Sequence, residues 1–321
     1  MILDYFKIPM LVNQNVLIDS SKKQDLEFNQ QQTKETFDTK WKSANHFEDI
    51  EKLHKTQYEW FLKLYGFNDL ETFRAFLKNK SFIIDTGCGL GYKSFWFSQL
   101  APHAIVLGID VSESCLLAAA HYKDIKNLYF LQSDIANTPL KAGVCDFVVC
   151  DQVIMHTENP TATFAHLSSL LSDKGEFACY FYRKKALPRE LIDDYFRTNT
   201  HNIPDAEIWQ LSEQLTELGK RLSALQISFE SPEIPLLGIK AGTYDIQRFI
   251  YWNFLKCYWN PEWGYDLSKI TNYDWYAPSN AKRFSEEEVK LLISQNNLKI
   301  IFWHEEEACY SGRYANLETS Y

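Results

Sequence analysis

The sequence predicts an α/β fold, a three-layer sandwich in which helices cover both faces of a mostly parallel, seven-stranded sheet. Two observations predict it. From Ser81 onward, short and nearly continuous apolar runs alternate with helical stretches, the pattern of strands that meet water on neither face. The first of those runs ends in a cluster of glycines that opens the next helix, a junction at which open α/β sheets bind ligands.

Taken in order, residues 1–30 mix polar and apolar positions, run into the polar stretch at 27–32, and read as an irregular lead. From Thr33 to Lys78 the pattern turns helical. Tyr58, Trp60, Phe61, Leu64 and Tyr65 recur at three- and four-residue spacing, which lines one face of a helix. Phe82-Ile83-Ile84 is the first strand, stopped by Gly87, Gly89 and Gly91, and 92–100 the first helix of the alternation. Strands follow at 104–109, 128–131, 146–150 and 176–181, with helices at 113–122 and 161–171. The alternation lapses between Arg183 and Asn280, where helices at 188–226 precede an aromatic-rich stretch running from Phe249 to Tyr276. Sheet signals then return. Ser285-Glu286-Glu287-Glu288 fits a capping box for a helix at 285–296, and strands are expected at 298–303 and near 308–314. The expected organisation is a lead and helical cap over 1–78, a ligand-binding core over 79–182, an aromatic insertion or lid lining a substrate pocket over 183–280, and a closing helix and strands over 281–321.

Bulk composition narrows the function classes. Of the 321 residues, 45% are hydrophobic and 23% charged, the balance of a chain with a substantial core. A formal net charge of −9 argues against broad contact with nucleic-acid phosphates or an anionic membrane, because the long-range field repels both. The seven cysteines form no C-x-x-C pair, which reads as reduced, mostly buried thiols. The first residues lack the basic segment and long apolar run of a signal peptide, and no stretch approaches the 18 apolar residues of a membrane span. The expectation is a cytoplasmic protein with no metal site, since the histidines show no ligand spacing. The oligomeric state is left open, a homodimer included.

The chemistry centres on Asp85-Thr86-Gly87-Cys88-Gly89-Leu90-Gly91-Tyr92. Glycines at the end of a first parallel strand let the backbone turn sharply and approach a ligand where a Cβ would collide. Asp110 ends the second strand, 21 residues beyond Gly89, and an acid about 20 residues on is placed to accept hydrogen bonds from ribose hydroxyls. Two nucleotide-like ligands compete for this arrangement. A dinucleotide such as NAD calls for G-x-G-x-x-G, but here the third glycine comes one residue early, at Gly91, and position 92 is Tyr.

The run from Asp85 to Gly91 resembles instead the first motif of the class I S-adenosylmethionine-dependent methyltransferases, an acid followed by G-x-G-x-G, and in particular their small-molecule, type 11-like branch. The resemblance continues through Gln132-Ser133-Asp134-Ile135 after the third strand. It extends to Asp151-Gln152-Val153-Ile154-Met155-His156-Thr157 after the fourth, similar to the branch's S-x-x-V-L-H-H-T with Met155 in place of one histidine. Two outlying stretches are also similar to segments of that branch: Gln32-Thr33 through Phe37 to Trp41, and Asp274-Trp275-Tyr276-Ala277-Pro278. The resemblance implies a Rossmann-like core binding S-adenosylmethionine and releasing S-adenosylhomocysteine. It implies that Gly87, Gly89 and Gly91 make room for the methionine part, with Asp85 near its amino group and Tyr92 a further contact. Asp110 would hold the ribose and Val111 would pack on the adenine. Asp134 and the backbone of Ile135 would contact the adenine edge, and Asp151 either contacts the cofactor or caps the next turn. His156 either takes a proton from the attacking nucleophile or holds its loop as a neutral imidazole. The expected activity is methyl transfer to an O or N nucleophile of a small-molecule acceptor, such as a glycan or natural-product intermediate. A non-catalytic S-adenosylmethionine-binding scaffold and an NAD-dependent oxidoreductase are the rival readings.

Overall fold

The computed structural model describes residues 2–19, 26–44 and 50–317. Parts of the expected lead, cap and closing segment, namely residue 1, 20–25, 45–49 and 318–321, lie outside the described residues. The chain divides into two compact units, one of 1–27, 41–182 and 282–321 and the other of 28–40 and 183–281.

In the first unit, strands β1 (Leu11–Asn13) and β2 (Val16–Ile18) precede helices α1 (Phe28–Ala44), whose last residues alone belong here, α2 (Ile50–Leu64) and α3 (Leu70–Leu77). The alternation follows as β3 (Phe82–Thr86), α4 (Tyr92–Leu100), β4 (Ile105–Asp110), α5 (Ser114–His121), β5 (Leu128–Gln132), β6 (Cys145–Cys150), α6 (Pro160–Ser169) and β7 (Leu171–Tyr182). After the second unit it closes with α11 (Glu286–Gln295), β10 (Leu298–Glu305) and β11 (Cys309–Asn316). Ser285 and Glu288 form the reciprocal capping box at the start of α11. The sheet order is β1-β2-β5-β4-β3-β6-β7-β11-β10. Pairing is parallel from β2 through to β7 and antiparallel at β1–β2, β7–β11 and β10–β11. The central strands carry the core: Ile83, Ile84, Val106, Leu107, Phe147, Val148 and Val149 are all fully buried, each contributing about 1.5–3 kcal/mol by leaving water.

The sheet therefore holds nine strands, where seven were expected. The two extra come from the N-terminal lead, which is not irregular: its hairpin turns at Gln14-Asn15, with Gln14 at φ +55°. Three-residue strands are too short to show an alternation. They form because Val16 and Leu17 extend the sheet beside Phe130 and Leu131, and because Asn15 donates to the Ala119 carbonyl at 3.0 Å.

The second unit holds α1 residues 28–40, α7 (Leu187–Asn199), α8 (Asp205–Ala224), β8 (Ser228–Ser231), β9 (Gly242–Asp245), α9 (Ile246–Asn253) and α10 (Gly264–Tyr276). It is mostly helical, with β8 and β9 forming a separate antiparallel pair. Within it, the two outlying stretches singled out in the sequence meet. Gln32 donates to the Ala277 carbonyl at 2.9 Å and accepts from the Ser279 N–H at 2.8 Å. The Thr33 hydroxyl accepts from Asn280 N–H, and Lys40 pairs with Asp274 at 2.7 Å. Among the described residues no helix is long and apolar enough to cross a membrane.

Candidate functional site

Strand order reverses at β3: the chain moves from it to β4 and β5 on one side, then to β6 and β7 on the other. The carboxyl ends of strands at such a reversal border a crevice, and the residues singled out in the sequence gather there.

The loop between β3 and α4 takes its path from its glycines. Gly87, Gly89 and Gly91 all have positive φ, at 75°, 53° and 74°. A Cβ on Gly87 would lie 2.3 Å from Val153 of the loop after β6, and one on Gly91 2.8 Å from the Phe130 ring. Space as well as backbone conformation thus demands glycine at both positions. At Gly89 a Cβ would meet the Trp41 indole at 3.0 Å. The loop is fastened to the end of β4: the N–H groups of Gly87 and Cys88 both donate to the Ile109 carbonyl, and the Gly89 N–H donates to Asp110 Oδ2 at 2.8 Å.

Asp110 is half-buried. Its other oxygen accepts from the N–H and hydroxyl of Ser112 at 2.9 and 2.6 Å, and that hydroxyl also lies within reach of Ser114. Val111 is half-exposed, and its carbonyl accepts from the Gln132 side chain at the end of β5. Next along this rim, Asp134 caps the short 3-10 turn Ile135–Asn137 by accepting from the Ala136 N–H at 2.9 Å. Asp110, Val111, Asp134 and Ile135 thus follow one another along the ends of β4 and β5.

Asp85 and Asp151 sit deeper. Asp85 is 1% exposed and accepts from the Ser94 hydroxyl at 2.6 Å. Burial pushes its carboxyl above the ordinary range, against the opposing influence of Lys93 and Ser94. Asp151 is 4% exposed, and both its oxygens are engaged, Oδ1 by the Tyr65 hydroxyl at 2.8 Å and Oδ2 by Lys93 Nζ at 2.5 Å. Burial works against the Lys93 charge, but Asp151 outweighs it and holds the ammonium above its ordinary pKa. Tyr65 is buried, and burial together with Asp151 keeps its phenol protonated. Beside Asp151, Gln152 adopts φ +64° and donates to Gln57 at 3.1 Å. Sequence reasoning missed Lys93 and Tyr65. The available signal was a lysine in the second position of an otherwise mostly apolar helix, Tyr92-Lys93-Ser94-Phe95-Trp96-Phe97.

His156 lies on the short 3-10 turn Ile154–His156 after β6. It is 6% exposed and packs edge-on against Tyr182 at 5.5 Å between ring centroids. Tyr92 stacks on His54 at 4.3 Å, and its carbonyl accepts from the Tyr58 hydroxyl, so α2 covers the start of α4. Among the described residues no group of three or more His, Cys, Asp or Glu could hold a metal ion.

Residues 77–226 match the family described as methyltransferase domain. The chain is 28% identical over 133 residues to a malonyl-[acyl-carrier protein] O-methyltransferase of Legionella pneumophila, 41% of this chain and 45% of that protein. It is 26% identical over 113 residues to an uncharacterised methyltransferase of Schizosaccharomyces pombe, 32% of this chain and 41% of that one. The chain thus spans less than half the length of these relatives. Among solved structures it is similar to a SAM-dependent methyltransferase from Aquifex aeolicus, 14% identical with a TM-score of 0.44, over 87% of this chain and 97% of that one. The glycine loop and strands β3 to β7 all lie within residues 77–226, the stretch that matches the methyltransferase domain family.

Proposed function

We propose that the chain transfers a methyl group from S-adenosylmethionine to an oxygen or nitrogen nucleophile of a small-molecule acceptor and releases S-adenosylhomocysteine. The observation that carries the proposal is Asp110, a half-buried carboxylate at the end of β4 that is hydrogen-bonded to Gly89 of the loop after β3. One acid thereby fixes the glycine loop and stands where a nucleoside's ribose would be held.

The residues fit the cofactor in charge and shape. Asp110 offers acceptors to ribose hydroxyls, and Val111 offers an apolar surface to a flat base. Asp134 and the Ile135 N–H offer an acceptor and a donor to the edge of that base. Positive φ at Gly87 and Gly89 brings backbone rather than side chains to the cradle. The cofactor supplies a methyl group on a positively charged sulfur that leaves as a neutral thioether. The protein's contribution is then mainly alignment. Asp151, saturated by Lys93 and Tyr65, holds the loop after β6 in place rather than touching the ligand. His156, on that same loop, takes the proton from the attacking group.

The test is calorimetric titration of the purified chain with S-adenosylmethionine, S-adenosylhomocysteine and NAD, followed by detection of S-adenosylhomocysteine release over a panel of hydroxyl- and amine-bearing acceptors. Binding of the first two and silence with NAD is expected. Binding of NAD alone would end the methyltransferase reading, and cofactor binding with no turnover on any acceptor would favour a scaffold.

A further inference from the structure

The second unit buries several charges, and all but one have partners. Arg189 and Asp193, one turn apart on α7, are 1% and 0% exposed and pair at 3.0 Å. The Trp275 indole N–H donates to the same carboxylate at 2.7 Å, and Arg189 donates to the Tyr251 carbonyl. Asp274 is paired with Lys40. Arg197 donates to the carbonyls of Trp275, Tyr276 and Pro278 at the end of α10, where the helix dipole is negative.

Lys256 is the exception. It is 6% exposed, and its Nζ lies 4.6 Å from the centroid of the Trp275 ring. No acceptor among the described residues comes within hydrogen-bonding distance of it. Its Nζ is not among the wholly enclosed polar atoms that lack a partner, so the little exposure left to the residue reaches the ammonium. Arg189 and Arg197 share the same indole, with guanidinium carbons 4.9 and 5.8 Å from its centroid. Three cations therefore surround one ring; of the two carboxylates near them, Asp193 pairs with Arg189 and Asp274 with Lys40, and neither pairs with Lys256. Ser279 Oγ, in the same segment, is enclosed without a hydrogen bond. Buried polar groups are otherwise almost always satisfied, and an exception points to a missing ligand or solvent.

We propose that the cluster around Trp275 binds an oxyanion, the carboxylate or phosphate of a small molecule, with Lys256 as its charge partner. Burial and the nearby Arg189 hold the Lys256 pKa well below lysine's ordinary value, and an oxyanion would return the proton. Identifying that ligand with the methyl acceptor rests on the methyltransferase reading; the site itself does not.

The test uses the full chain without cofactor. Inorganic phosphate or acetate replaces chloride at constant ionic strength while thermal unfolding is followed. The wild type is expected to gain about 2–4 °C at tenfold over the anion's Kd. A response to phosphate alone assigns a phosphate ligand, and a response to acetate a carboxylate. Lys256→Met loses the gain but melts no lower than wild type in anion-free buffer, because it removes an uncompensated buried charge. Lys256→Arg keeps the gain. A wild type unmoved by both anions would overturn the proposal, as would an equal gain in Lys256→Met. A Lys256→Met chain melting several degrees lower in anion-free buffer would also overturn it, since the ammonium would then be a structural group. S-adenosylhomocysteine affinity, expected unchanged in Lys256→Met, reports separately on the cofactor assignment.

Discussion

Replacing Asp110 by alanine tests the cofactor assignment most directly. Within the protein the Asp110 carboxylate accepts from Gly89 N–H, Ser112 N–H and the Ser112 hydroxyl. That hydroxyl also lies 2.5 Å from Ser114, so it can turn there when a ribose hydroxyl takes its place on the carboxylate. A ribose offers two such hydroxyls. Hydrogen bonds to a charged group contribute about 1.5–3 kcal/mol each, so the lower bound for two is roughly 3 kcal/mol, or about 100-fold in affinity. Calorimetric titration with S-adenosylhomocysteine should show that loss in Asp110→Ala, and a smaller one, about tenfold, in Asp110→Asn, which keeps one carbonyl oxygen. Ser112→Ala removes the internal competitor and should leave affinity equal or improved. The alanine variant also leaves the buried Gly89 N–H without its acceptor, so its melting temperature should fall and binding must be read on folded protein. A folded Asp110→Ala chain within threefold of wild type would refute the ribose assignment and the geometry argued from it.

Gly91→Ala forces a side chain into left-handed backbone and to within 2.8 Å of Phe130; urea unfolding should show a loss of about 2–5 kcal/mol, and a neutral result would mean the loop relaxes freely. Lys93→Met leaves Asp151 buried without its cation and should cost about 3–5 kcal/mol, most of which the double variant Lys93→Met with Asp151→Leu recovers. The His166 Nε2 accepts from the Thr138 N–H at 3.0 Å, and burial, then Lys7, lowers its pKa. Because the folded value lies below the unfolded one, stability is full above about pH 6.5 and falls as pH drops through the folded pKa; denaturation from pH 7.5 to 5 should show this slope in the wild type and a flatter one in His166→Gln. His156→Gln should lower turnover about 100-fold while leaving S-adenosylhomocysteine affinity unchanged, and unchanged turnover would leave alignment as the whole of the catalysis.

How much was legible in the sequence depended on the range of the interaction that fixes each feature. Gly87, Gly89 and Gly91 were readable because the constraint on them is local, a backbone angle that other residues resist. Asp110 was readable because its position at a strand end is set by the chain beside it. The hairpin at 11–18 was not, since its strands are three residues long and exist by pairing with β5, more than 100 residues away. The docking of Gln32 and Thr33 on 277–280 was equally hidden, although each stretch had been noticed separately. Nothing local to either one indicates that the other is its partner.

Asp85, Asp110 and Asp151 show the same limit within the site. The three acids close neighbouring strands β3, β4 and β6 and looked equivalent as site candidates. Their surroundings divide them. Asp85 is enclosed beside Ser94 with its carboxyl pushed toward the protonated form, a buried support under the glycine loop. Asp151 is just as enclosed, but Lys93 and Tyr65 engage both its oxygens, and it braces the end of β6 against α4 and the end of α2. Of the three, Asp110 alone keeps solvent contact while anchoring the loop. A half-exposed acid can meet a ligand arriving from solvent, whereas Asp151, enclosed with its cation Lys93, cannot release it without leaving a charge uncompensated. Burial and partner supply are therefore what separate the proposed binding acid from its two supports, and for Asp151 the partners come from 58 and 86 positions away in the chain.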